Sequence, residues 1–592
     1  MELTHEQRFI VDSIATHKIV EADAGTSKTT TLTHSVVADI NRGLDPSKML
    51  VITFSRTAAD TLRQRLESMH PEAKCIRIAT IHGWCYSLLQ SWNSGRKIKI
   101  LNESLRKKYF FQALQKFDSS YDNKDVDQIL AAYTLTVNQQ KKSGMLALIS
   151  LPVQQVKQVF EDYIKYKNEN GFSDFDDLQI GVDRLLDRSP RALASIRADH
   201  RVVYLDEAQD TSTLQWSIIN RLKPSRLFVV GDQKQSIYGW RGSVVAFRSQ
   251  VPGSECFQLH ENFRSSKEIV AVANAVFPTG VKTNNPSGPK PLIFGTQDPV
   301  ESAREVISLA NRLSRHGTVG ILGRSWEPIR LLGGSLYLAT GGSGIREENN
   351  LINPSITKFW QLFNWAFFKS DDTWADCISV LGVPPSVKPQ DILVRPDELF
   401  SPFDGLNLRE DQVKALVFLR DFKKDSSNPV SPFIRLYHDF YREYFDDDEY
   451  LASTCQVLSE LPLSSNRLRF DRSQCRSENI FINTLHGVKG EQFDSVIFIG
   501  LNDGIIPSAI TSDREEERRL FYVGVTRPKR NLFLAFSAKD NNGNDLTRSP
   551  FLDEIDVPEL VSCMGVEDYF KHESFDNTCE RDTYMDDGAG II

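Results

Sequence analysis

The fold of this chain is decided by Lys18-Ile19-Val20-Glu21-Ala22-Asp23-Ala24-Gly25-Thr26-Ser27-Lys28-Thr29-Thr30. The stretch starts as a short β-prone run, tightens into a loop and continues into a helix-prone segment at residues 30–40. A strand, a tight loop and a helix together place backbone N–H groups and a helix N-terminus around phosphate. Residues 22–30 are therefore predicted to hold the phosphates of a nucleotide. Lys28 would reach the β- and γ-phosphates, and the Thr29 hydroxyl would hold Mg²⁺.

This loop departs from the usual phosphate-binding pattern at several positions. Ser27 stands where a glycine normally precedes the lysine, and Ala22 stands where the first glycine is expected. Glycine suits such positions because it adopts positive φ without steric cost. Ser27 is therefore expected to carry modest backbone strain. Asp23 adds a negative charge that is expected to weaken nucleotide affinity.

Length and composition set the broad class of the protein. The 592 residues exceed one core, so roughly three to five structural units are expected. No apolar run of about 18 residues and no signal-peptide pattern is found, which predicts a soluble, cytoplasmic protein with no membrane contact. The eight scattered cysteines indicate neither a zinc site nor a disulfide framework. The net charge of −8 disfavours a generally basic surface but permits a local basic channel.

Short apolar, β-branched runs recur along the chain and alternate with helix-like stretches. They are residues 49–54, 202–205, 227–230, 319–322, 496–499 and 532–536. Such runs are typical of buried parallel strands in α/β layers. Residues 90–171 and 346–475 are instead mainly helix-like, with proline breaks in the second segment. The predicted fold is α/β, with two parallel-sheet cores that are each interrupted by a mainly helical insert.

Two adjacent carboxylates follow the apolar run Val202-Val203-Tyr204-Leu205. Asp206 and Glu207 suit the hydrolysis of Mg²⁺–ATP: Asp206 would bind the metal shell and Glu207 would orient and deprotonate water. The alternative is an acidic helix start that the helix dipole favours.

Further segments occur in an order that resembles one enzyme family. They are Leu3-Thr4-His5-Glu6-Gln7, Thr53-Phe54-Ser55-Arg56, Thr80-Ile81-His82-Gly83-Trp84, Asp174-Phe175-Asp176-Asp177-Leu178, Gly231-Asp232-Gln233-Lys234-Gln235-Ser236-Ile237-Tyr238-Gly239-Trp240-Arg241-Gly242, Glu261-Asn262-Phe263-Arg264, Thr484-Leu485-His486-Gly487-Val488-Lys489-Gly490-Glu491-Gln492, and Tyr522-Val523-Gly524-Val525-Thr526-Arg527. With the phosphate loop and Asp206-Glu207, this series resembles a UvrD/Rep-type superfamily 1 DNA helicase over most of the chain.

The resemblance implies roles at the nucleotide. Gln7 would read adenine, since its amide offers a donor and an acceptor side by side. Phe263, where the family usually has tyrosine, would pack on adenine. Gln492 replaces a usual glutamate near the ribose. The resemblance implies that the γ-phosphate is met by Gln235, Arg264 and, as a second arginine finger, Arg527.

The resemblance also implies contacts to single-stranded DNA, from Phe54, Arg56, His82, Tyr238, Trp240, Arg241, Thr484 and His486. Aromatic faces stack on any base, which suits a motor that tolerates every sequence. The alternatives are that Tyr238 and Trp240 are core aromatics and that His82 is an ordinary histidine.

The two cores are expected to be RecA-like motor domains. The first core (1A) would comprise residues 1–89 and 172–272, with its helical insert (1B) at 90–171. The second core (2A) would comprise residues 273–345 and 476–550, with its insert (2B) at 346–475. Residues 551–592 would form an acidic C-terminal tail.

The function implied is an ATP-dependent DNA helicase that uses ATP and Mg²⁺ between its two cores and moves 3′→5′ on single-stranded DNA. It would unwind duplex at junctions, in the cytoplasm, or in that of a host if a phage encodes it. The protein partners stay open. The departures at Asp23, Ser27 and Gln492 motivate an alternative, a nucleic-acid-binding regulator that keeps the fold but has weak ATPase activity.

Overall fold

The computed structural model describes residues 2–92, 97–117, 123–139, 152–340, 345–346, 354–369, 371–390, 408–423, 430–442, 445, 449–460, 479–509, 511 and 513–572. Its strands are β1 His17–Ala22, β2 Met49–Thr53, β3 Arg77–Thr80, β4 Lys99–Ile100, β5 Phe172–Ser173, β6 Val202–Leu205, β7 Arg226–Gly231, β8 Glu255–Leu259, β9 Glu261–Asn262, β10 Lys282–Thr283, β11 Leu292–Thr296, β12 Val319–Gly323, β13 Ile345–Arg346, β14 Ile480–Thr484, β15 Phe493–Ile499, β16 Pro528–Ser537 and β17 Ser562–Cys563.

The α-helices follow the same chain order. They are α1 His5–Asp12, α2 Lys28–Asn41, α3 Arg56–Met69, α4 Ile81–Trp92, α5 Glu103–Gln115, α6 Asn123–Gln139, α7 Val153–Asn170, α8 Phe175–Arg188, α9 Pro190–Asp199, α10 Thr213–Leu222, α11 Lys267–Val276, α12 Pro299–Leu313, α13 Trp326–Thr340, α14 Pro354–Phe368, α15 Asp371–Leu381, α16 Glu410–Asp421, α17 Val430–Leu436, α18 Glu449–Glu460, α19 Arg514–Val525, α20 Pro550–Asp553 and α21 Val566–His572.

The chain divides into two compact units. The first unit is Met1–Arg264 with Thr279–Asn285, and the second is Ser265–Pro278 with Pro286–Ile592. Each unit is built on its own parallel sheet.

The sheet of the first unit has the strand order β3-β2-β6-β7-β1-β8, with every pair parallel. The four central strands β2, β6, β7 and β1 are almost wholly buried because apolar clusters cover both faces of the sheet. Ile19 points into one cluster and its neighbour Val20 into the other. This is the sandwiched sheet that continuous apolar runs predict. The carboxyl ends of β1, β2, β6 and β7 lie side by side, and the polar residues that follow them share one edge.

The first helical insert has a small core of its own. Helices α5, α6 and α7 pack around Phe110, Ile129 and Tyr163. A buried ion pair ties the insert to α8, with Arg106 Nη2 donating to Asp176 Oδ2 at 2.9 Å.

The sheet of the second unit has the order β13-β14-β12-β15-β16-β11-β17, again wholly parallel. The predicted runs at 319–322, 496–499 and 532–536 lie within β12, β15 and β16. Helices α14–α18 carry aromatic residues such as Phe359, Trp365 and Phe433 into an apolar core. The predicted α/β fold with two parallel-sheet cores and helical inserts is thus confirmed.

The two units differ from the expected domain limits at three places, one of which is Thr279–Asn285: it was expected in the second core but belongs to the first unit. Residues 265–272 were expected in the first core, but helix α11 packs on α19, and Ser265 Oγ donates to Pro528 O at 2.8 Å within the second unit. The expected tail began too early. Strand β17 adds to the second sheet beside β11, and Tyr569 of α21 is buried. The remaining predicted tail, residues 573–592, and residues 391–407 and 461–478 of the predicted insert lie outside the described residues.

Over the part of the chain that the structure describes, no helix combines the length and the apolar character needed to cross a bilayer.

Candidate functional site

The phosphate loop lies between β1 and α2, as the sequence predicts. Gly25 has φ +76°, and a Cβ there would meet Asn262 Nδ2 at 2.4 Å. Ser27 occupies the left-handed region at φ 60° and ψ 42°, and its side chain makes no capping hydrogen bond to α2. The expected strain at Ser27 is therefore present in the backbone.

The Lys28 amine folds back over the loop. Its Nζ donates to Ala22 O at 3.2 Å and to Asp23 O at 3.4 Å, and lies 3.9 Å from Asp232 Oδ2. The side chain is only 10 % exposed. Lys28 is thus held inside the loop, where an incoming phosphate would compete with backbone carbonyls for its protons.

Asp206 and Glu207 lie at the end of β6. Burial, and then the neighbouring Glu207 charge, raise the pKa of Asp206 to about 7, although Lys28 opposes the shift. Glu207 has φ 52°, a left-handed conformation that is uncommon for a non-glycine residue. Its Oε2 accepts a hydrogen bond from Gln209 Nε2 at 2.6 Å. A strained residue held this firmly is typical of a functional position.

The predicted metal ligands are Thr29 and Asp206. The negative charges of Glu207 and Asp210 both raise the pKa of Asp206, and a group of carboxylates of this kind suits a hard divalent cation. Among the described residues, no group of three or more His, Cys, Asp or Glu side chains is arranged to hold a metal. A magnesium site of the predicted kind needs fewer protein ligands, because phosphate oxygens and water supply the rest.

Asp232 connects the predicted nucleotide residues and was missed by sequence reasoning. It accepts hydrogen bonds from Gln235 Nε2 at 2.7 Å and from the Lys234 backbone at 3.0 Å. Its own N–H donates to Gln209 Oε1 at 2.9 Å. Gln209 therefore bridges Glu207 to the turn that carries Gln235. The sequence places these residues in separate motifs, and only the adjacency of β6 and β7 joins them.

Asn262 is a second residue that sequence reasoning quoted without assigning a role. Its Nδ2 donates to Ala24 O at 2.9 Å, and its Oδ1 accepts from Arg264 N at 2.8 Å. Phe263 N donates to Gly25 O at 2.9 Å. The backbone of Phe263 and Arg264 is thus fastened to the phosphate loop.

Gln7 is buried, and its side-chain amide oxygen already accepts a hydrogen bond. Its Oε1 accepts from Thr4 N at 3.1 Å, and Thr4 Oγ1 accepts from Gln7 N, which forms a capping box at the start of α1. Of the predicted donor and acceptor pair, the amide oxygen has a structural partner.

A cavity of about 1030 Å³ lies beside this site, within the first unit. Its walls include five of the predicted DNA contacts: Phe54, Arg56, His82, Trp240 and Arg241. The helical insert contributes further charged side chains, including Arg106 and Lys107. The structure thus brings together residues that lie up to 187 positions apart.

Tyr238 does not line this cavity. Its ring is buried and stacks on Phe54, with centroids 4.9 Å apart and planes at 21°. The Arg241 guanidinium lies 5.1 Å from the Tyr238 ring and 4.6 Å from the Trp240 ring. For Tyr238 the core alternative describes the structure, because Phe54 covers it, whereas Trp240 is 39 % exposed.

His82 faces the cavity as a neutral ring. Burial, with a smaller effect from Arg241, lowers the pKa of His82 to about 4. Its Nε2 lies 3.0 Å from Gln179 Nε2. At neutral pH His82 therefore offers hydrogen bonding and an aromatic edge rather than a positive charge.

The second unit holds the remaining predicted residues. Arg527 is 1 % exposed, and its Nε and Nη1 donate to Val523 O at 3.0 Å and Glu491 O at 3.3 Å. Thr484 ends β14, His486 follows in the next turn, and Gln492 is exposed just before β15. The predicted finger Arg527 is thus packed into its own unit.

Comparison with known proteins agrees with this arrangement. Residues 3–252 match the UvrD/REP helicase N-terminal domain, and residues 409–539 match the UvrD-like helicase C-terminal domain. The two models together cover well over half of the chain.

Individual relatives are distant but extend over nearly the whole chain. A probable DNA helicase II homolog of Mycoplasma capricolum is 26 % identical, over 90 % of this chain and 84 % of its own length. The ATP-dependent DNA helicase PcrA of Bacillus subtilis is 25 % identical, over 87 % and 80 % respectively. A probable DNA helicase II homolog of Rickettsia felis is 25 % identical, over 89 % and 91 %. Both domain models match in chain order, and the chain contains the two parallel-sheet units that such a pair of domains requires. The chain therefore belongs to the UvrD/Rep family of superfamily 1 helicases.

Proposed function

We propose that this chain is an ATP-dependent DNA helicase that moves 3′→5′ along single-stranded DNA and unwinds duplex at junctions in the cytoplasm. The observation that carries the proposal is the convergence of Lys28, Asp206, Glu207 and Gln235 on one edge of the first sheet. Asp232 contacts both Lys28 and Gln235, and Gln209 joins Asp232 to Glu207, so hydrogen bonds and one ion pair connect these residues.

Lys28 would give up its bonds to Ala22 O and Asp23 O and take the β- and γ-phosphates. Mg²⁺, held by Thr29 and Asp206, would neutralise charge on the phosphate oxygens. Glu207, kept in place by Gln209, would orient water and accept its proton. Binding of Mg²⁺ would also keep Asp206 ionised at neutral pH, against the burial that raises the pKa of its carboxyl group.

Residues 261–264 would report the state of the phosphate loop. The Asn262 side chain donates to Ala24 O and Phe263 N donates to Gly25 O, so a change in the loop would move Phe263 and Arg264 with it. Phe263 would stack on adenine, next to Gln7, and Arg264 would touch the γ-phosphate. Arg527 would act there only after its guanidinium leaves the carbonyls of Val523 and Glu491.

The cavity is proposed as the path of the DNA strand. Phe54 and Trp240 supply aromatic faces for about 1–3 kcal/mol of stacking per base, while Arg56 and Arg241 supply charge for phosphates. Tyr238 would act behind Phe54, by keeping its ring in place. Thr484 and His486 would contact the strand from the second unit, and Gln492 the ribose.

The four-part organisation is also a proposal, with revised limits. The first core would end at Arg264 and include Thr279–Asn285, and the second would begin at Ser265 and extend to residue 572 without that segment. The inserts would keep the limits 90–171 and 346–475.

The test is ATP hydrolysis by the full chain, with and without single-stranded DNA. Wild type should be stimulated by DNA, and Glu207→Gln should lose the stimulated rate, by about 10²–10⁴-fold for a lost general base. Glu67→Gln, on an exposed face of α3, is the matched control and should keep the wild-type rate.

The same assay separates the alternatives. Tight DNA binding with no turnover would favour the weak-ATPase regulator over a helicase. Stronger stimulation by an RNA strand than by a DNA strand of the same sequence would contradict DNA as the substrate.

A further inference from the structure

Asp23, which departs from the usual loop pattern, has a specific partner. Its Oδ1 lies 2.5 Å from Lys234 Nζ, although 211 residues separate them in the sequence. The Asp23 side chain is 11 % exposed and that of Lys234 is 32 % exposed. The pair is therefore partly shielded from water, and its charges interact more strongly than they would on an open surface.

Two cations and two anions act directly on each other at this pair. Lys28 and Lys234 are the two cations, and Asp23 and Asp232 are the two anions, with Lys28 3.9 Å from Asp232. Asp23 also experiences the negative charge of Asp232 directly. If Lys234 lost its charge, Asp23 and Asp232 together would outweigh Lys28, at the place where phosphate must enter.

A second bond joins the same two segments. Gln233 Nε2 donates to Glu21 Oε1 at 3.2 Å, beside the Asp23–Lys234 pair. Residues Gln233–Gln235 form one tight turn, so Lys234 is adjacent to Gln235. The start of the phosphate loop is thus joined to the turn that carries Gln235.

We propose that Lys234 is a positioning residue for nucleotide binding: it neutralises Asp23 and holds the phosphate loop against the turn at residues 233–235. This inference rests on the proposed function, because it assigns the phosphates of ATP to that loop. Asp23 is then no defect of the loop but one half of a pair.

The test is a double-mutant cycle on the full chain with Asp23→Asn, Lys234→Met and the double variant. Binding of ATP that carries a fluorescent N-methylanthraniloyl group is measured in Mg²⁺ buffer without DNA. Lys234→Met should weaken binding by about tenfold or more, because an unpaired carboxylate then faces the phosphates. The double variant should return to within about threefold of wild type, because both charges are gone. The Lys234→Met defect should shrink in high salt.

Two further variants make the result specific. Lys234→Arg keeps the charge and should bind nearly as wild type does. Lys48→Met removes an exposed lysine that pairs with Asp199 at 2.9 Å, and should change nothing.

The inference is overturned if Lys234→Met binds within about twofold of wild type, or if the double variant binds as weakly as Lys234→Met. Binding is read without turnover, so the cycle stands even if ATP is not hydrolysed. Absence of DNA-stimulated hydrolysis in wild type would instead count against the proposed function. DNA-stimulated hydrolysis with a purely additive cycle would remove the inference alone.

Discussion

Ser27→Gly tests the reading of the phosphate loop. Ser27 has φ 60° and ψ 42°, and its side chain does not cap α2. A left-handed conformation costs a side-chain-bearing residue about 1–2 kcal/mol. Glycine avoids that cost but loses about 0.5–1 kcal/mol through its greater freedom in the unfolded chain. The net expectation is stabilisation by about 0.5–1 kcal/mol, with ATP turnover intact or improved.

The assay is thermal unfolding of the full chain together with steady-state ATPase activity. For a unit of this size the gain corresponds to an increase in the unfolding midpoint of about 1–3 °C. Ser27→Ala is the matched control, because it keeps Cβ and the positive φ while removing the hydroxyl, and should show no gain. A lower midpoint in Ser27→Gly would refute the strain argument. Loss of turnover in both variants would show that the Ser27 hydroxyl acts on the nucleotide.

Three other predictions concern residues of the first unit. Asp206→Asn should be more thermostable than wild type above pH 7 and equal to it below about pH 4. The pKa of Asp206 is raised to about 7 in the folded chain, so wild type loses stability between about pH 4 and pH 7, where the unfolded chain ionises this carboxyl group more readily. Asp176→Asn should destabilise the chain by about 3 kcal/mol, because it leaves the buried Arg106 charge without its carboxylate; denaturant unfolding measures it. Gly25→Ala should abolish ATP binding, because its φ is +76° and the new Cβ would meet Asn262 at 2.4 Å; nucleotide titration measures it.

Each of these has an outcome that contradicts it. A thermostability gain of Asp206→Asn that is constant from pH 4 to pH 8 would show that titration is not the cause. Asp60→Asn breaks an exposed pair with Arg63 and should cost less than about 0.5 kcal/mol. If Asp176→Asn lowers the free energy of unfolding no more than Asp60→Asn does, the buried Arg106–Asp176 pair does not stabilise the chain as predicted. Unchanged nucleotide affinity in Gly25→Ala would mean that the loop opens more freely than its contacts indicate.

The sequence predicted the two sheets because buried parallel strands are continuous apolar runs. Residues 202–205 coincide with a strand, and the β1–loop–α2 unit appears where the loop pattern places it. Strand β17 escaped prediction, since two residues carry no periodicity and only pairing with β11 makes them a strand. The early tail boundary has the same cause.

Sequence patterns could point to a residue of the candidate site only where the residue types within one short segment indicate the chemistry. Asp206 and Glu207 follow the end of β6, and Lys28 begins α2 after the loop at the end of β1. The ends of parallel strands are where α/β sheets place their chemistry. Gln209 and Asn262 could not be assigned, because their partners are distant in sequence and are reached only through the packing of neighbouring strands. The resemblance implies that Tyr238 contacts DNA bases, yet its ring is buried and stacks on Phe54.

Asp23 shows how a departure from a family pattern is to be interpreted. Taken alone, a carboxylate in a phosphate loop indicates weak nucleotide binding. The structure supplies Lys234 at 2.5 Å, so the local charge is balanced. A loop carboxylate that is paired with a lysine favours a working ATPase over a regulator that has lost its chemistry.

The helicase assignment is decided by strand separation on two matched duplexes, one with a 3′ single-stranded tail and one with a 5′ tail. Wild type with ATP and Mg²⁺ is predicted to unwind the 3′-tailed duplex, to leave the 5′-tailed duplex paired, and to lose unwinding in Glu207→Gln. Equal unwinding of both duplexes would contradict the 3′→5′ direction. No ATP-dependent unwinding of either, from a chain that binds DNA, would contradict the helicase itself.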